Sequence, residues 1–232
     1  MVYTQTMSLF TKALRISIPV LLGYLAIGVA FGLLLADAGY PWTLALVMGL
    51  LMYAGTGQYI AVGLFAAGAG LWECVLVQLV VNARHIAYGL SMQRRFRDAG
   101  KFKFYLIFAL TDETFALLSS LDKEKSSPRL MFYIALLNHF YWTAGSVIGA
   151  VAGTLLPFSM KGVNFALTAL FIVLMIEQIR LAKEKRSFII SAAVTIPAVF
   201  FLPGRFSLLG ALAFALILIP LTGKKEAADV EP

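Results

Sequence analysis

Apolar residues in this chain come in long blocks, not in the alternating or half-polar stretches of a water-soluble domain. The blocks cover residues 16–36, 42–71, 72–92, 104–121, 130–156, 163–180, 188–202 and 206–221. One helical crossing of a bilayer takes roughly 20 such residues. The pattern therefore predicts an all-α, polytopic helical membrane protein of about six to eight membrane segments. Residues 1–15 carry Leu9, Phe10, Ala13 and Leu14 on one side and read as an interfacial amphipathic lead. Residues 16–222 form a single transmembrane domain, and the polar tail 223–232 is expected to be disordered. Lys12 and Arg15 ahead of the first block, with Ala36-Asp37-Ala38 behind it, give a signal-peptide look. The block is too long for a cleaved leader and more spans follow, so it reads as a first transmembrane helix.

Polar and glycine residues interrupt several blocks. Block 42–71 is divided by Gly55-Thr56-Gly57 into two halves, each too short to cross alone. It is expected to be one discontinuous helix, or two half-helices that enter and return on the same side. Block 72–92 carries Gln78, Asn82, Arg84 and His85, and block 104–121 is interrupted by Thr111-Asp112-Glu113-Thr114. Such groups are costly in hydrocarbon and face a bundle interior or a wet cavity. Two stripes of small residues, Gly28-x-x-x-Gly32 and Gly145, Gly149 and Gly153, offer grooves for close helix packing.

Composition removes the soluble alternative. Hydrophobic residues make up 60% of the 232 positions and charged residues 13%, more apolar surface than a soluble chain of this length can bury. The net charge of +7 lies in short clusters between the blocks, where it sets topology and meets anionic lipid headgroups, so no nucleic-acid partner is expected. If all eight blocks cross, the Lys and Arg of the loops divide 11 against 7 between the two sides. If the second and sixth re-enter, the division is 14 against 4, with both termini and the basic loop 93–103 cytoplasmic. That arrangement leaves three crossings in each half, 16–121 and 130–222, and permits an inverted repeat. The lone cysteine, Cys74, excludes an internal disulfide and a cysteine metal cluster, and no metal or cofactor is expected.

Pro19-x-x-x-Gly23-Tyr24 with Gly28 and Gly32, Ala54-Gly55-x-x-Gln58, Asn82-x-Arg84-His85 and Thr111-Asp112-Glu113 occur in this order. Their order and spacing resemble the AzlC family, the large subunit of branched-chain amino acid exporters. The resemblance runs from about Ile16 to beyond Arg180. It implies secondary-active export of small hydrophobic amino acids across the bacterial inner membrane, with a small AzlD-type membrane subunit as partner. No P-loop is present, so a proton or other ion gradient is the expected energy source.

The candidate substrate-binding residues are Gly55, Thr56, Gly57, Gln58, Asn82, Arg84 and His85. Gln78, Asn82 and His85 share one helix face, and Arg84 and Tyr88 the neighbouring one. Arg84 could hold a substrate carboxylate, or could snorkel or pair with Asp112 or Glu113. His85 could be an interhelical hydrogen bonder or a proton carrier. Asp112 and Glu113 are the candidate coupling residues: two adjacent negative charges in a low dielectric repel, and positions one apart on a helix point about 100° apart. Asp112 is expected to face the pathway, because Phe108, Asp112, Ala116 and Ser119 form a narrow face with small residues. Asn138 and Tyr141 are possible pathway residues, or only packing. An intramembrane enzyme lacks support, since His85 and His139 stand far apart and no Gly-x-Ser-x-Gly occurs. A non-transporting assembly subunit is the other alternative.

Overall fold

The computed structural model describes residues 8–122, 126–155 and 186–201, together with single helical positions at 172, 175, 176 and 179. The expectations for most of block 163–180, block 206–221 and the tail 223–232 lie outside the described residues. All regular structure among the described residues is helical. The chain divides into two bodies, residues 1–68 with 74–163 and residues 69–73 with 164–232. Of the second, the described helix is α9, Arg186–Phe201, an apolar helix with Pro197 inside it.

The first body is built on two long helices, α1 (Leu9–Asp37) and α8 (Pro128–Leu155). Both are long and apolar enough to cross a membrane. The lead does not stand apart from the first span: Ser8 caps α1 by accepting the Thr11 N–H at 3.2 Å, so residues 9–15 are the first turns of that helix. The two glycine stripes interlock along one seam. A Cβ on Gly28 would lie 3.1 Å from Ser146 N and Trp142 O, and one on Gly145 would lie 3.1 Å from Tyr24 O. At Gly32 and Gly149 it would overlap the partner backbone outright, at Ser146 O and Ala150 N and at Val29 O. Only glycine lets the two backbones approach this closely.

Between the two posts the chain runs in short pieces: α2 (Trp42–Leu51), α3 (Gly55–Ala66), α4 (Leu71–Val81), α5 (Arg84–Met92), α6 (Lys103–Phe108) and α7 (Asp112–Ser120). Each of the three predicted polar segments therefore contains a break. The first break lies just ahead of its polar motif, and the other two take in the first residue of theirs, Asn82 and Thr111. The first falls at residues 52–54, so Gly55-Thr56-Gly57 is the opening turn of α3 rather than the interruption itself. The third falls at 109–111, so Asp112 and Glu113 open α7. The second, at Asn82–Ala83, divides what the sequence presents as one continuous helix, and α4 and α5 meet there at a 44° bend.

Candidate functional site

Each break has a local cause. At the first, Tyr53 takes a left-handed backbone, φ +42°, which is strained for a bulky residue, and it does so while buried. Its N–H bonds Met48 O instead of Gly49 O. The carbonyl thus released is met by His139 of α8, whose Nε2 lies 3.0 Å from Gly49 O. A carbonyl only accepts, so Nε2 carries the hydrogen, and in the neutral ring Nδ1 accepts from Tyr105 Oη at 2.9 Å. Tyr53 also stacks on the His139 ring, with centroids 4.2 Å apart.

At the second break Asn82 competes with the helix ladder. Its Nδ2 donates to Gln78 O at 2.9 Å, and the backbone bonds that follow, Ala83 N to Val80 O and His85 N to Asn82 O, are of the tighter i to i−3 kind. At the third, Thr111 is an N-cap, its Oγ1 accepting the Thr114 N–H at 3.2 Å. The two acids behind it occupy the first turn of α7, where the helix dipole favours negative charge.

The three new helix N-termini come together at Arg84. Its Nη2 donates to Thr56 Oγ1 on the first turn of α3 at 3.2 Å, and its Nη1 pairs with Asp112 Oδ2 on the first turn of α7 at 2.7 Å. The Tyr88 hydroxyl donates to Asp112 Oδ1 at 2.7 Å, so both oxygens of that carboxylate are engaged. The ion pair is not sealed, with the Arg84 and Asp112 side chains 40% and 35% exposed. Of the alternatives for Arg84, the pair with Asp112 is the one formed.

Beside this pair lies a polar layer that is buried except at Glu113, which is exposed. Tyr24 of α1 approaches Glu113 Oε2 at 2.7 Å and Thr111 Oγ1 at 2.5 Å. Asn138 Nδ2 donates to Thr114 Oγ1 at 3.1 Å. Trp142 Nε1 donates to Gln58 Oε1 at 2.7 Å, and its ring meets Tyr24 edge-on. The two acids thus diverge as adjacent helix positions should, Asp112 to Arg84 and Glu113 to Tyr24. Two buried polar atoms here make no hydrogen bond, Gln58 Nε2 and Asn138 Oδ1.

The structure therefore gathers Thr56, Gln58, Arg84, Asp112, Glu113 and Asn138 around the breaks. Gly57 lies beside Gln78, which donates to its carbonyl at 2.8 Å, and a Cβ there would come within 3.0 Å of Asn82 Nδ2. Gly55 faces the Trp142 ring. His85 contacts the Tyr88 ring. Tyr141 stands apart, its hydroxyl 3.1 Å from Ser17 of α1. Tyr24, Tyr88, Thr111, Thr114, His139 and Trp142 also belong to the site, although the sequence did not single them out as site residues. Two of them carried a readable signal, since Asn138, Trp142 and Ser146 recur at four-residue spacing and Thr111 precedes two acids as an N-cap does.

Among known proteins, the chain is 31% identical to the branched-chain amino acid transport protein AzlC of Bacillus subtilis strain 168, over 98% of this chain and 91% of that one. It is 39% identical to a membrane protein of Helicobacter pylori strain J99, over 93% of this chain and 96% of the relative. The inner membrane protein YgaZ of Escherichia coli K12 is 29% identical, over 80% of this chain and 78% of its own. No solved structure matches. The family description "AzlC protein" matches residues 19–156, more than half the chain and the whole stretch from Pro19 through all three breaks to the end of α8. The chain is a membrane protein of the AzlC family with a transport role.

Proposed function

We propose that this protein is the large subunit of a secondary exporter that moves branched-chain or other small hydrophobic amino acids outward across the bacterial inner membrane. A small AzlD-type membrane subunit completes it, and a proton or other ion gradient drives it. The observation that carries this reading is Arg84, held between the first turns of α3 and α7 where three broken helices meet. Half-helix ends of this kind offer free N–H groups and a positive dipole end to an anionic ligand. A substrate carboxylate binds by taking the place of Asp112 on Arg84, with the N–H groups of Gly55, Thr56 and Gly57 beside it. An open groove of about 450 Å³ next to it is walled by Val75, Leu79, Ala83 and Ile86, with Gln78 and Asn82, and suits an apolar side chain. Asp112 and Glu113 serve coupling, and Asn138 lines the same layer.

The reading is tested by uptake of radiolabelled leucine into inside-out vesicles or liposomes, with and without the partner subunit. Accumulation against the leucine gradient only with both subunits supports it. An assembly subunit gives transport by the partner alone, and an enzyme gives a changed product and no accumulation. The proposed orientation has both termini cytoplasmic. A cysteine at position 98 in a Cys74→Ala background is then expected to resist an impermeant thiol reagent added outside the cell, whereas ready labelling there rules out the re-entrant topology.

A further inference from the structure

The two posts run in the same direction. Phe10 packs on Tyr133, Ser17 lies 3.1 Å from Tyr141 and Gly32 lies against Ser146 and Ala150, so residue numbers climb together along the seam. α1 and α8 therefore start at one end of the first body, the near end, and finish at the far end. The chain leaves α1 at the far end and is back at the near end by residue 128, so it crosses an odd number of times in between.

Tyr40, just past α1, packs on Phe65 with centroids 5.6 Å apart, while Gly49 and Gly55 between them reach His139 and Trp142 midway along α8. α2 and α3 thus go in from the far end and return to it. α4 and α5 then make the crossing: Gln78 meets Gly57, Arg84 meets Thr56, and Arg95, just past α5, donates to Ser119 O at 3.1 Å and to Leu121 O. Arg95 also donates to Ser126 Oγ at 3.3 Å, and Phe102 packs on Phe132 of α8 at 4.8 Å. Both ends of the stretch 103–121 therefore stand at the near end, and its tip reaches the level of Tyr24 and His139. With six and nine residues, α6 and α7 rise about 9 and 14 Å, against roughly 30 Å of hydrocarbon.

We propose that residues 103–121 do not cross the membrane but form a hairpin that enters from the cytoplasm, opposed by a hairpin of residues 42–66 that enters from outside, and that Arg95 is the strap holding the cytoplasmic hairpin closed. The charges fit this orientation. Residues 1–15, 93–103 and 121–129, all at the near end, hold ten lysines and arginines, whereas 38–41 and 67–70 at the far end hold none. If blocks 163–180, 188–202 and 206–221 each cross, the whole chain divides 16 against 2, sharper than the 14 against 4 given by a re-entrant sixth block.

The two tips meet at the candidate site. The Tyr53 and Phe108 rings lie 6.4 Å apart, and Arg84 of the crossing helix holds Thr56 on one hairpin and Asp112 on the other. A ligand at Arg84 then has one hairpin between it and each side of the membrane. Displacing α6 and α7 opens the site inward, and displacing α2 and α3 opens it outward. Arg95 acts on the first of these, because it binds carbonyls that the end of α7 leaves without helical partners. Service of the hairpins as gates rests on the transport reading above, but their topology does not.

Single cysteines test the topology in the full chain with Cys74→Ala, using an impermeant maleimide on intact cells and on inside-out vesicles. Ala38→Cys and Ala67→Cys are expected to label from outside, and Asp98→Cys and Asp122→Cys from the cytoplasmic face. Labelling of Asp122→Cys from outside, or of Ala67→Cys from the cytoplasm, overturns the proposal. For the strap, Arg95→Ala in a Thr56→Cys protein is expected to raise the rate at which the reagent reaches position 56 from the cytoplasmic face severalfold, with no change from outside. An unchanged inner rate, or an equal rise from both faces, overturns that role. Should Arg95→Ala not insert, Arg95→Lys keeps the charge but cannot span two carbonyls, and the same two rates decide. A protein that labels as expected but moves no leucine refutes the transport reading and leaves the hairpins in place.

Discussion

The α1–α8 seam and the three broken helices use glycine in opposite ways. Along the seam, Gly32 and Gly149 press against backbone atoms of the facing helix, which cannot move aside without unpacking it. At the first break, Gly57 presses against the ends of side chains, with its Cβ position 2.5 Å from Gln78 Oε1 and 3.0 Å from Met52 Cε, and Gly55 faces the edge of the Trp142 ring. The seam is a fixed post, whereas the breaks are held by groups that can rotate. A transporter has to change shape without unfolding, and this division lets the half-helix ends rearrange while the post stays whole.

The largest effect should come from violating the post. Gly149→Leu forces a side chain into the Val29 backbone, and the expected cost is about 3 kcal/mol or more. It should appear as loss of folded protein from the membrane and a lowered unfolding temperature in detergent. Gly23→Leu, on the same helix but with nothing within 4 Å of its Cβ position, is the control and should leave both unchanged. Equal damage from the two would mean that the seam is not a special contact.

Substitutions at the breaks should instead spare folding and remove transport. Asp112→Asn leaves Arg84 without its charged partner while keeping the shape of the side chain. Gradient-driven export is expected to fall below about a tenth of the wild-type rate, with normal amounts of protein in the membrane. Full export with its usual dependence on external pH would falsify a coupling role for this carboxylate. Gly57→Leu displaces Gln78 and Asn82 rather than backbone, so the protein should still insert while leucine export is abolished. Unchanged export would reduce the first break to a packing feature.

Much of this division was legible in the sequence, because lipid permits so few solutions. Glycines at four-residue spacing in apolar blocks 16–36 and 130–156 announce two helices in close contact. Polar residues inside blocks 42–71, 72–92 and 104–121 announce broken or wet segments, since unpaired groups do not survive in hydrocarbon. What the sequence hid was the register of the breaks. Gly55 and Gly57 look like the interruption, yet the chain turns at Tyr53, a residue with no preference for a left-handed backbone. That conformation is held by tertiary contacts from α8, which no local pattern reveals. The convergence on Arg84 was hidden for the same reason: Thr56, Arg84 and Asp112 are separated by 28 residues at each step, and only the folded bundle brings them together.

The smallest expected effect tests whether α8 truly holds the first break open. His139 donates from Nε2 to the carbonyl that Gly49 loses when the helix ends, accepts from Tyr105 at Nδ1, and supports the Tyr53 ring with its face. His139→Phe keeps the ring and the stacking but removes both nitrogens, leaving the Gly49 carbonyl buried without a donor. A buried polar group stripped of its partner costs about 1–3 kcal/mol, so the variant should insert, unfold at a lower temperature, and keep the Tyr53 backbone less firmly than the wild type. The amide hydrogens of residues 52–54 should then exchange faster in heavy water, while those of α1 and the glycine seam of α8 keep their protection. If protection is lost evenly across α1 and α8 as well, His139 belongs to the post rather than to the break, and the boundary between the fixed and the movable parts lies elsewhere.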